Sequence, residues 1–114
     1  MTKLKLTIGE RFMTTRLLNE EGSGLGFDAL KNCLKIADKV AVDELEKKNY
    51  KFSMDEKGAH WNEKKSEKDV EFNQDEYKLL LSFIDGRDRK KNFSLKEGSF
   101  MVSLVNKLKE AKDE

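Results

Sequence analysis

Residues 50–62 read YKFSMDEKGAHWN. Tyr50, Phe52 and Met54 alternate with polar residues, Asp55–Gly58 supplies turn chemistry, and Ala59 and Trp61 alternate with His60 and Asn62. Period-two alternation on both sides of turn residues predicts a β-hairpin. Most of the chain on either side has helical periodicity. The hairpin therefore decides the class: α+β, predominantly helical, rather than all-α.

Upstream, Thr7-Ile8-Gly9-Glu10 is a capping box. The Thr hydroxyl accepts from the third amide of the new helix, and Glu10 reaches back. Ile8, Phe12, Met13 and Leu17 follow at near-helical spacing, which predicts a helix over about 8–18. Before it, Leu4 and Leu6 alternate with Lys3 and Lys5, as in a short strand. A second helix is expected from about Phe27 to Asp38, burying the stripe Phe27, Leu30, Leu34 and Ala37 with Cys33 beside it. Residues Ala41–Lys48 are helical again, with Val42 and Leu45 facing inward. Neither Gly nor Pro marks a break, so 27–48 is either one helix or two.

Downstream, Glu63–Asp69 is a charged loop, and Val70 and Phe72 suit a third short strand. Asn73-Gln74-Asp75-Glu76 opens a helix, with Phe72 and Tyr77 placed to form a hydrophobic staple. Tyr77, Leu80, Leu81 and Ile84 make its buried face, and Gly86 is read as its stop. Ser94-Leu95-Lys96-Glu97 caps a final helix that buries Met101, Leu104, Val105 and Leu108. The result is about five helices with a small β-hairpin or three-stranded sheet, in one domain over 1–114. Within it, 1–62 holds helices plus hairpin, 63–69 the charged loop and 70–114 the C-terminal helical pair. Three helices followed by a hairpin is also the element order of a winged helix.

Composition narrows the function. The 114 residues are 37% hydrophobic and 39% charged, with 23 basic and 22 acidic side chains. Such near-cancellation makes no global field to attract DNA or an anionic membrane. One cysteine, Cys33, excludes an intramolecular disulfide framework and suits a reducing compartment. No apolar run approaches the roughly 20 residues of a membrane span, and the N-terminus lacks the apolar core of a secretion signal. Asn92-Phe93-Ser94 matches the glycosylation pattern, which only a secreted protein would use. A cytoplasmic protein is the expectation.

Few residues carry chemistry. Residues 20–31, EEGSGLGFDALK, resemble a phosphate loop by glycine spacing. However, a helix precedes them, no GK[ST] follows, and Glu20, Glu21 and Asp28 would repel an anion at the helix N-terminus. The stretch reads as a bend. Cys33 and His60 are the only residues of their types, too few for a zinc set; no metal, cofactor or catalytic residue is assigned. The candidate partner or nucleic-acid contacts are Arg87, Arg89, Lys90 and Lys91, read as an exposed connector after a helix end, together with His60 and Trp61. Lys64, Lys65 and Lys68 form a weaker cluster interleaved with acids. Residues 41–48, AVDELEKK, carry three acids and two lysines, a poor recognition helix for DNA.

The stretch KLKLTIGERF with the following EEG, and the later HWN followed by charges and a helix, resemble small uncharacterised proteins encoded by tailed bacteriophages and prophages. The likeness covers about residues 3–63; the last two helices are similar by pattern only. The resemblance implies an accessory role in an infected bacterial cell and supplies no activity and no catalytic residues. GSGLG departs from the more apolar connector of that family. The expected function is non-enzymatic: a small accessory module that docks on another protein, acting as monomer or homodimer. The alternative is a winged-helix-like nucleic-acid-binding regulator.

Overall fold

In a computed structural model the chain is described at residues 2–22, 24–63, 66–91, 93, 95 and 98–111. Strand β1 (Thr2–Leu6) leads into helix α1 (Ile8–Glu21), then α2 (Phe27–Val40) and the six-residue α3 (Glu44–Asn49). The hairpin strands β2 (Ser53–Asp55) and β3 (Gly58–His60) follow, then β4 (Lys68–Phe72), α4 (Gln74–Lys90) and α5 (Gly98–Glu110). The class is thus α+β and mainly helical. Among the described residues, no helix is long and apolar enough to cross a membrane.

The capping box expected at Thr7 forms, and Asn73, read as a helix opening, makes another; each side chain accepts from the third helical amide while Glu10 or Glu76 reaches back. A third, Asp43 with Glu46, starts α3 and separates it from α2, so 27–48 is two helices. The box expected at Ser94–Glu97 lies outside the described residues, as do Lys64, Lys65 and Asn92.

Two sheets form instead of one three-stranded sheet. The third strand does exist, but β4 pairs antiparallel with β1, while β2 and β3 pair with each other. The reason is visible in the β1–β4 register. Leu4 faces Val70 and Thr2 faces Phe72 on the core side, while Lys3 faces Glu71 and Lys5 faces Asp69 on the outer side. The apolar pair Leu4–Val70 with buried Leu6 and Phe72 on one face, and opposite charges on the other, favour this partner. The hairpin has no such face: Met54 and Ala59 are exposed, and only its base is covered.

The core lies between this sheet and the long helices, built from Leu6, Leu17, Ile36, Phe72, Leu80, Ile84, Leu104 and Leu108 among others. Several expectations about helix bounds and faces need correction. Leu45, expected to face inward, is 66% exposed, and α3 starts at Glu44 rather than near Ala41. Gly86 does not end α4, which continues to Lys90 and closes on Lys91 in the left-handed conformation at φ 52°. Helix α2 buries Cys33, Ile36 and Val40, not the stripe read from the sequence: Phe27 is 74%, Leu30 45% and Leu34 60% exposed.

Candidate functional site

Helix α2 has two apolar stripes, and the core uses only one. Residues 33, 36 and 40 lie on the core side. Phe27, Leu30 and Leu34, three and four residues apart, line the adjoining side and stand out from the molecule. Lys31 lies over the Phe27 ring at 5.3 Å. Between this stripe and α1 runs an apolar groove of about 200 Å³, lined by Leu18, Asn19 and Gly22 of one side and Leu30, Leu34 and Ala37 of the other. Scattered exposed leucines are ordinary, but a contiguous row marks a contact surface.

The connector that leads into α2 explains the glycine stretch. Gly24 holds φ at 70°, a left-handed conformation that L side chains rarely adopt, so the chain reverses there. The acids beside it have a partner within the chain. Arg87, one of the expected exposed cations, is buried; it pairs with Glu20, approaches Glu21 at 3.5 Å through Nε and lies over Phe93 at 5.8 Å. Because α4 continues past Gly86, Arg87 falls on its inward face toward α1. The expected basic loop is therefore split: Arg87 fastens two helices, while Arg89, Lys90 and Lys91 remain exposed at the end of α4.

His60 is exposed on the hairpin and pairs with Asp55 at 3.2 Å. An amide of Lys57 and the His60 ring hold the Asp55 carboxyl below its ordinary value. Trp61 turns the other way, half-buried among Phe12, Phe52 and Phe100, stacked on Phe52 at 5.8 Å and edge-on to Phe12 at 5.4 Å. Its indole N–H donates to Glu63 Oε1 at 2.6 Å. It holds the hairpin base against α1 and α5.

Glu63 belongs to a polar network at the start of α1. It accepts from the Gly9 amide at 3.0 Å and the Thr7 hydroxyl at 2.6 Å, so the chain's own carboxylate occupies the positive end of the helix. A Cβ on Gly9 would lie 2.8 Å from both Glu63 and Phe100, which is why glycine stands there. Beside it, Glu10 accepts from Ser103 and from Lys107 at 2.7 Å, and Lys107 also donates to the Lys5 carbonyl. Thr7, Glu10, Glu63, Glu67, Ser103 and Lys107 help line a cleft of about 410 Å³. Burial alone would raise the Glu10 carboxyl, but hydrogen bonds from Lys107, Ser103 and Thr7 outweigh it and hold it below the ordinary value. Glu10 is therefore a weak base toward the Ser103 hydroxyl, and its contacts fasten α1 to α5 and β1.

Sequence reading missed the exposed stripe on α2 by assigning it to the core. One signal was available. The apolar positions 27, 30, 33, 34, 36, 37 and 40 cover about half of the helix circumference, wider than one core-facing stripe requires. Compared with known proteins, the chain matches no family model, no curated protein and no solved structure.

Proposed function

We propose that this chain is a small non-enzymatic accessory module that docks on protein through the apolar stripe of α2. The observation that carries this reading is the row Phe27, Leu30 and Leu34, held outward by a helix whose adjoining stripe is locked in the core. Burying such side chains is worth roughly 1.5–3 kcal/mol each, a size that matters against an association cost of about 4–15 kcal/mol. The charged, nearly neutral surface around it favours discrimination among partners over indiscriminate attraction. A bacterial cytoplasm as the setting belongs to the same proposal, as the phage-like resemblance read from residues 3–63 implies.

A winged-helix-like nucleic-acid regulator retains one supporting observation, the exposed Arg89, Lys90 and Lys91 at the end of α4. Against it, α3 offers acids in its first turn, and the hairpin pairs with no other strand among the described residues.

Capture from nuclease-treated bacterial lysate, wild type beside Leu34→Glu, tests the proposal. Because Leu34 lies outside the core, the variant should keep its stability within about 0.5 kcal/mol and lose the proteins the wild type retains. Identical recovery by both chains would count against the α2 surface. Recovery from untreated lysate that nuclease abolishes and that needs Arg89, Lys90 and Lys91 would favour the second reading.

A further inference from the structure

We infer that the occupant of the α2 stripe is a second copy of this chain, packed antiparallel across a two-fold axis near Leu34; this rests on the docking reading above. The exposed positions 27, 30 and 34, continued by Ala37 and Ala41, recur at alternating three- and four-residue spacing. That is the heptad seam by which helices pair. Ala37 is partly covered and Ala41 is exposed at the helix end.

Size along this seam is graded: Phe27 and Leu30 at the N-terminal end, Leu34 in the middle, Ala37 and Ala41 at the C-terminal end. Antiparallel pairing sets Phe27 against the second copy's Ala41 and Leu30 against its Ala37, with Leu34 meeting its own counterpart. Large then meets small in the layers on either side of the axis, and Leu34 packs on Leu34 at the axis itself, which fills the seam without voids. Parallel pairing would set Phe27 on its counterpart and leave a void between alanines.

Charge selects the same orientation. On the solvent flank of the seam, Lys31 and Asp38 are both exposed and occupy equivalent heptad positions. In an antiparallel pair these two face each other across the axis, Lys31 of each copy toward Asp38 of the other, so two ion pairs form. The opposite flank, Cys33 and Val40, is already buried in the chain's own core. The 14-residue helix spans about 21 Å. An interface centred on one such helix is small, so we expect a dimer that dissociates on dilution, in the micromolar range.

Sedimentation velocity over a range of concentrations tests this directly. Wild type should pass from one to two chain masses, and Leu34→Glu, which sets two carboxylates together on the axis, should weaken association about 100-fold or more. Lys31→Asp and Asp38→Lys should each impair self-association, because each sets like charges opposite one another. Mixing those two variants should restore dimers, since every cross-axis pair in the mixture is then of opposite sign. Circular dichroism melts confirm that all three remain folded. A wild type that stays monomeric while Leu34→Glu still loses a captured protein overturns self-pairing and leaves the docking reading intact. A monomeric wild type with no such loss overturns both. Dimers unaffected by Leu34→Glu, or not restored by mixing, overturn the antiparallel pairing.

Discussion

Arg11 has no access to solvent, yet all its charge is answered. Nη1 and Nη2 meet the Glu46 carboxylate at 3.0 and 2.6 Å, Nη2 also donates to the Ser66 carbonyl, and Nε donates to the Thr7 carbonyl. Burial would raise the Glu46 carboxyl, but Arg11 outweighs it and holds it below the ordinary value. Removing one member of a buried pair strands the other, at about 3–5 kcal/mol. Glu46→Ala should therefore lower the urea midpoint by a corresponding amount, whereas its exposed neighbour Glu44→Ala should barely move it. Sequence alone could place Arg11 on α1 and Glu46 on α3, but not bring them together across 35 positions. Arg87 makes the same point. Its type and its neighbours suggested a solvated cation, and one more turn of helix made it an internal fastener.

At the scale of elements, local chemistry was legible wherever the chain satisfies its own backbone. The capping boxes at Thr7 and Asn73 form because donor and acceptor lie three residues apart, a distance that sequence reports directly. Gly86 was misread because glycine is a frequent helix terminator but also a tolerated interior residue; packing on both sides carried α4 past it. Among the described residues, nothing beyond the helix's own backbone lies within 4 Å of a Cβ placed on Gly86, and its backbone is helical. Gly86→Ala should accordingly stabilise the protein by about 0.5–1 kcal/mol, read as a rise in thermal midpoint. A fall would mean that the helix does end there. Helix α2 shows the other limit. Period 3.6 identified it, but with apolar residues over half its circumference the pattern did not reveal which stripe faces inward.

For the whole molecule, the carboxylates that join elements set the response to acid. Glu10 links α1 to α5, Glu46 links α3 to α1, and both sit below their ordinary value of about 4.5 in the folded chain. The unfolded chain therefore binds protons first as pH falls, and stability falls with it. Their contribution is complete above about 4.5 and lost as pH drops through the lowered folded values. Thermal midpoints should hold steady from neutral to about pH 5 and decline below that. In Glu10→Gln the decline should be shallower from a lower starting point; an unchanged slope would remove Glu10 from this role. The amino-acid order by itself determined the class, the starts of α1, α2 and α4 and the hairpin turn, because these depend on interactions a few residues apart. Only the tertiary structure decided that β1 takes β4, that Arg87 turns inward and that the larger apolar stripe of α2 remains outside. Those choices depend on which distant surfaces can be buried together, and one chain offers more apolar surface than a single core can cover.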